Sequence, residues 1–152
     1  MIEYKKARLK DIASMQILVR PEIENGVILP RSDDEIATNI RSYTLAFDDD
    51  RLIGYSALHI HASNLAEVRS LIVDSNYRGK GVGSGLVNAL LDEARALEIA
   101  QVFTLTYRSE FFKNLGFVEI SKERLPAQKI WADCIKCKHF PVCNEIALIQ
   151  NL

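Results

Sequence analysis

The sequence predicts an α/β (α+β) fold, a largely antiparallel sheet flanked by helices. Three observations point there. Short apolar or alternating runs bounded by turn residues recur along the chain, among them "YTLAF", "RLIGYSALHI" and "QVFTLTY". One long stretch, "GLVNALLDEARALEI", places apolar residues at 86, 87, 90, 91, 94 and 97, the spacing of an amphipathic helix. Between strand "AEVRSLIVD" and that helix stand Gly79, Gly81, Gly83 and Gly85, four of the seven glycines, at alternate positions.

Taken in order, residues 2 to 7 suit a short first strand. Asp11 is an N-cap candidate for a helix over about 12 to 24, with Ile12, Met15 and Val19 on one face. "NGVILPRS" is a loop closed by Pro30, and Asp33 or Asp34 opens a second helix through about Ser42. Residues 43 to 47 and 51 to 60 flank "DDD" as an antiparallel hairpin. Residues 66 to 74 form a strand in which alternation puts Glu67, Arg69, Leu71 and Val73 on one face, with Val68, Ser70 and Ile72 on the other. After the helix from Gly85 come a strand at 101 to 107, a short helix stopped by Gly116 as a left-handed cap, the strand "FVEIS", and a last strand at 145 to 150. A loop of over twenty residues precedes that last strand and carries Trp131 and all three cysteines. A loop of that length in a compact domain usually serves a function.

The chain of 152 residues fits one domain spanning 1–152, and its net charge of −1 argues against a broad nucleic-acid binder. The first residues lack the apolar core of a signal peptide, and no apolar run approaches the ~20 residues that span a bilayer. Three cysteines without a signal do not make a secreted disulfide framework, so a reduced, cytoplasmic protein is expected. Cys134, Cys137 and Cys143 follow C-x2-C-x5-C with His139 between them, from which a four-ligand zinc site can be written. Packing of small side chains and a redox link from Cys134 to Cys137 are the alternatives. Packing is preferred, and no metal is expected.

The glycine stretch fails two familiar patterns. G-x-G-x-x-G would need glycine where Ser84 or Leu86 stands, and the phosphate loop of nucleotide hydrolases would need glycine at Ser84. A flexible strand-to-helix turn explains one or two glycines. The remaining reading is a turn whose amides face an anion, reinforced by the unpaired N–H groups of the following helix and by Arg78 and Lys80.

"LIVDSNYRGKGVGSGLV" resembles the acetyl-coenzyme A motif of the GNAT acetyltransferases, with R-G-x-G-x-G at Arg78, Gly79, Gly81 and Gly83. "FFKNLGF" at 111 to 117 resembles the later L-G-F motif of that family. The resemblance covers most of the chain and implies the GNAT fold, a mixed, mostly antiparallel sheet. It further implies a bulge in the strand before the glycine loop, with the backbone of Leu71, Ile72 and Val73 along the pantetheine arm and an amide there polarising the thioester. Arg78, Gly79, Lys80, Gly81, Val82, Gly83 and Ser84 would then hold the pyrophosphate. The acceptor amine needs a base, and Glu67, which matches a glutamate often found there in relatives, is the candidate, with an exposed strand carboxylate as the alternative. The tyrosine that many members place four residues before the glycine of L-G-F is Phe112 here.

"NGVILPRS", "FTLTYRSEFFKNLGF" and "RLPAQKIWADCIKCKHFPVCNEIAL" together resemble the short, stand-alone branch of N-acetylglutamate synthases within that family. The implied partners are acetyl-CoA and L-glutamate, with a homodimer common among members. A dicarboxylate acceptor needs cationic anchors, and Arg31, Arg108 and Lys129 are the candidates, with Arg69 as a fourth. A different acceptor amine, or a module that binds coenzyme A without turnover, are the alternatives.

Overall fold

The computed structural model describes residues 1–125 and 145–152. Lys129 and the cysteine loop with Cys134, Cys137, His139 and Cys143 lie outside the described residues. Seven strands form one sheet: β1 (Ile2–Lys6), β2 (Tyr43–Asp48), β3 (Arg51–Ala62), β4 (Leu65–Val73), β5 (Gln101–Thr106), β6 (Val118–Ile120) and β7 (Ile146–Asn151). Their order is β1-β2-β3-β4-β5-β7-β6, and the single parallel pairing among them is β4 with β5. The mixed, mostly antiparallel sheet expected from the sequence is present.

Among the described residues four α-helices cover the sheet: α1 (Ile12–Glu24), α2 (Asp33–Thr38), α3 (Val82–Ala96) and α4 (Ser109–Lys113). Met15 and Val19 of α1 pack with Ile36 of α2 on Tyr55, Ala57 and Ile72. On the opposite face Val87, Leu90, Leu91 and Ala94 of α3 pack on Leu58, Ala66 and Val68, and Phe112 and Phe117 close the end of that core. The expected apolar stripe of α3 holds except at Leu97, which follows the last helical residue and is half exposed.

The first two helices start where the sequence put them, and only the side-chain capping differs. Asp11 holds the N-cap position of α1, as expected, but its side chain makes no capping bond to that helix; its carboxylate accepts the Arg8 N–H at 2.8 Å and closes a 3-10 turn ahead of it. Asp33 opens α2, as expected; Ser32 caps it, with Glu35 completing a reciprocal capping box, and it ends at Thr38 rather than near Ser42. Gly116 is left-handed as expected, at φ 99°.

The largest departure from simple alternation is in β4. Tyr55 faces Ile72 and Ala57 faces Arg69, so Ser70 and Leu71 together stand opposite Ser56. This is a β-bulge, with Ser70 at φ 58°. The extra residue inverts the side-chain alternation. Glu67 and Arg69 therefore share a face with Ile72, and Val73 returns to the α3 side with Val82 and Leu86. The expected common face of Glu67, Arg69, Leu71 and Val73 is thus corrected, because period-two reasoning cannot see an inserted residue. The bulge implied by the family resemblance lies in the expected strand, at Ser70 and Leu71, so it begins one residue before Leu71–Val73.

The bulge also opens the sheet. β4 and β5 pair only at Leu65, Ala66 and Glu67 with Gln101, Val102 and Phe103. Beyond that the strands diverge, and the Thr104 hydroxyl reaches across to the Val68 carbonyl at 2.9 Å. On the other edge of β4, Gly54 permits close approach: a Cβ there would lie 2.8 Å from the Ile72 carbonyl oxygen. We expect Gly54→Ala to cost about 1–3 kcal/mol, since backbone must move to admit it. A urea unfolding midpoint equal to the parent's contradicts this.

Candidate active site

β4 ends where the glycine stretch begins, so the diverging strands and the start of α3 lie at the same end of the sheet. Asp74 turns the chain by accepting the Asn76 N–H at 2.9 Å. The Tyr77 hydroxyl donates to Asp48 at 2.7 Å, fastening the loop to the β2–β3 turn. That bond holds the Asp48 carboxyl below the ordinary carboxylate range and pushes the Tyr77 phenol up. Gly79 and Gly81 sit at φ 77° and 84°, where L side chains are strained, although the space around them is open.

Gly81 is the N-cap of α3, and the first intrahelical bond runs from the Gly85 N–H to the Gly81 carbonyl at 3.0 Å. The amides of Val82, Gly83 and Ser84 therefore have no carbonyl within the helix to bond, at the positive end of its dipole. The other two glycines answer to packing. A Cβ on Gly83 would lie 3.3 Å from the Phe111 ring, and one on Gly85 would overlap the Tyr4 phenol. Of four alternating glycines, two shape the turn and two let α3 sit close to its neighbours.

Arg78 is tied back to the fold. Its Nη2 donates to Glu22 Oε1 at 2.8 Å and its Nε to the Val73 carbonyl at 3.3 Å. The Lys80 ammonium lies 5.5 Å from the centre of the Tyr77 ring.

The divergence of β4 and β5 holds a cleft of about 520 Å³, closed on one side by residues from the end of α1 and the loop to Arg31. The structure brings seven of the expected site residues to it, whereas Arg78 to Ser84 do not line it. Glu67, Arg69, Leu71, Ile72 and Val73 contribute from β4, Arg31 from the loop and Arg108 from the N-cap of α4, and Phe112 of that helix joins them.

Glu67 is 1% exposed, so the exposed-carboxylate alternative does not apply. Its Oε1 lies 2.9 Å from His61 Nε2 and 4.0 Å from Arg69 Nη1. Arg69 Nη2 in turn lies 3.1 Å from His59 Nδ1. Arg31 is mostly buried, 3.8 Å from Glu35, and its carbonyl accepts from Gln16 at 2.8 Å. Burial raises the Tyr55 phenol far above its ordinary range, Tyr43 adds to the rise, and the positive charge of Arg31 works against it. Arg108 has an exposed side chain and stands at the N-cap of α4, its N–H donating to Thr106 Oγ1 at 2.9 Å. Phe112 is buried edge-to-face against Phe111 and Phe117, an apolar contact with no proton to give.

Sequence reasoning missed His59, His61 and Glu22. The signal for the histidines was present: they stand two apart on β3, and hairpin register sets His59 opposite Glu67. Glu22 lies 56 residues from Arg78, and no local pattern could have paired them.

Residues 12–117 match the model of the acetyltransferase (GNAT) family. An uncharacterized N-acetyltransferase of Chlorobaculum tepidum is 38% identical over 151 residues, covering 97% of this chain and 95% of that protein. An amino-acid acetyltransferase of Mycobacterium tuberculosis is 31% identical over 127 residues, covering 82% of this chain and 72% of that one. Among solved structures, N-acetylglutamate synthase from Neisseria gonorrhoeae, complexed with coenzyme A and N-acetyl-glutamate, superposes with a TM-score of 0.90 at 26% identity. That match covers 100% of this chain and 35% of the synthase, so the chain spans about a third of its length.

Proposed function

The chain belongs to the GNAT acetyltransferase family, and from that premise we propose that it transfers the acetyl group of acetyl-CoA to the α-amine of L-glutamate. The observation that carries the reading is the joint placement of two features. The amides that begin α3 follow the end of β4, and β4 lines a cleft that gathers a buried carboxylate and three arginines, with Arg78 bonded to its lining residues Glu22 and Val73. The similarity to amino-acid acetyltransferases and to a synthase holding N-acetyl-glutamate supports the choice of acceptor.

In this reading the amides of residues 78–84, with Val82, Gly83 and Ser84 foremost, hold the diphosphate of the donor, and Arg78 and Lys80 add positive charge. The pantetheine arm lies along the β4 edge that β5 leaves open, beside Leu71, Ile72 and Val73. The acceptor carboxylates meet Arg31 and Arg108, with Lys129 as a third cation and Arg69 closest to Glu67.

The acceptor amine arrives as an ammonium ion and must lose a proton before it can attack. Glu67 accepts that proton, directly or through a water. The neutral amine adds to the thioester carbonyl, and a fixed backbone N–H at the β4 bulge stabilises the oxyanion. The nitrogen of the tetrahedral adduct gives its extra proton to water, and the adduct expels the thiolate. With phenylalanine at 112 the thiolate takes its proton from water, which a thiol pKa of roughly 8–9 allows.

The test is release of free thiol from acetyl-CoA across the amino acids and a polyamine. Glutamate is expected to give the highest kcat/KM. A higher value with another amine removes glutamate. Absence of thiol release with every amine leaves a coenzyme A-binding module.

A further inference from the structure

His61 is the group that stands against Glu67 without being part of the cleft: Glu67 and Arg69 line the cavity, and neither His59 nor His61 does. The His61 side chain is 7% exposed. Its ring is fixed on two sides, 5.3 Å from the Phe103 ring and 4.7 Å from the His59 ring, the latter edge-on. Such a ring has few orientations open to it. The one it adopts directs Nε2 at Glu67 Oε1, 2.9 Å away.

The neighbouring pair strengthens this. Arginine can only donate, so His59 Nδ1 accepts from Arg69 Nη2 and the proton of that imidazole resides on Nε2. Arg69 and His59 thereby brace each other beside the second pair, and the ring of His59 holds the ring of His61. Two residues on β3 and two on β4 form a crosswise set behind the cleft.

Resting on the proposed role of Glu67 as base, we propose that His61 is a positioning residue for the transfer reaction. It donates Nε2–H to Oε1 of the Glu67 carboxylate and so fixes the orientation in which that carboxylate meets the cleft. The proton moves from the ammonium nitrogen to the carboxylate, and the electron pair of the broken N–H bond remains on nitrogen as the nucleophile. His61 neither gains nor loses a proton in that step. Without it, a buried carboxylate beside Arg69 can rotate toward the guanidinium, 4.0 Å from Oε1, and direct its basic oxygen away from the acceptor.

The test compares His61→Gln, His61→Asn and His61→Leu using the acceptor that wild type prefers. The glutamine amide nitrogen falls where Nε2 stands, and the asparagine nitrogen falls where Nδ1 stands. Glutamine is therefore expected to keep kcat within about threefold of wild type. Asparagine and leucine are expected to lose about ten- to a hundred-fold, the scale of a misplaced reacting group. KM for both substrates is expected to stay within about twofold in all three variants. In a Glu67→Gln background the His61 substitutions are expected to cost little more, because the two residues act as a unit. Should the leucine variant fail to fold, the glutamine–asparagine comparison carries the test alone. Equal kcat in those two variants, at whatever level, overturns the assignment. Lack of turnover by wild type with every amine is seen before any variant is made; it overturns the parent reading and this one together.

Discussion

Replacing Glu67 with glutamine is expected to lower kcat by about 10²–10⁴-fold, the usual contribution of a positioned general base. The side chain keeps its size and can still bond His61, so folding and both KM values are expected to change by no more than a few-fold. What is lost is the oxygen that takes a proton. The burial of Glu67 makes the argument strong, because a carboxylate only 1% exposed forgoes hydration, and the fold meets that cost with His61 and Arg69. Raising the pH is expected to restore part of the variant's activity, since a larger share of the acceptor then arrives already neutral. The check is a pH–rate profile of the two proteins with saturating acetyl-CoA. A variant with wild-type kcat near neutrality removes Glu67 from the chemistry.

Arg108→Ala is expected to raise the KM for glutamate by about 10- to 100-fold while acetyl-CoA binding stays nearly intact. A hydrogen bond to a charged group contributes about 1.5–3 kcal/mol, and each 1.4 kcal/mol is tenfold in affinity. Arg108 is the cleanest of the arginines to test. Its side chain is exposed, and the contact it makes with Thr106 uses its backbone N–H, which alanine retains. Arg69 braces Glu67 and His59, so its loss would disturb the base as well. Arg31 is largely buried near Tyr55 and Glu35. Lysine at 108 is expected to recover only part of the affinity, because a point charge cannot make a two-pronged contact with a carboxylate. An unchanged glutamate KM in the alanine variant takes Arg108 out of the site.

Much of this architecture was legible before any coordinates. The strands announced themselves by alternation, α3 by its apolar stripe, and the helix stop at Gly116 by residue type alone. The glycine loop was legible as a tight strand-to-helix turn, yet its four glycines answer to two different causes. Gly79 and Gly81 adopt left-handed backbone, whereas Gly83 and Gly85 make room for Phe111 and Tyr4, partners distant in sequence. The helix starts at Asp11 and Asp33 were legible, whereas the side chain that caps α2 is Ser32, one residue earlier, a register that local propensity does not set.

The site was legible as a list of residues but not as an arrangement. Arg31, Glu67 and Arg108 come from a loop, a strand and a helix start that only the divergence of β4 and β5 brings around one space. That divergence depends on a single inserted residue at Ser70, which carries no compositional mark. What sets the histidines behind Glu67 is the register of β3 on β4, not residue type along β3. No helix among the described residues is long and apolar enough to cross a membrane.

The most direct test of the central claim is a crystal structure of the protein with coenzyme A and glutamate bound. The account predicts diphosphate oxygens about 2.7–3.2 Å from the amides of Val82, Gly83 and Ser84, within ordinary hydrogen-bond range. It predicts the sulfur between β4 and β5, the glutamate amine near Glu67, and the two carboxylates on Arg31 and Arg108. A diphosphate seated away from the start of α3, or a glutamate outside the cleft between β4 and β5, contradicts it.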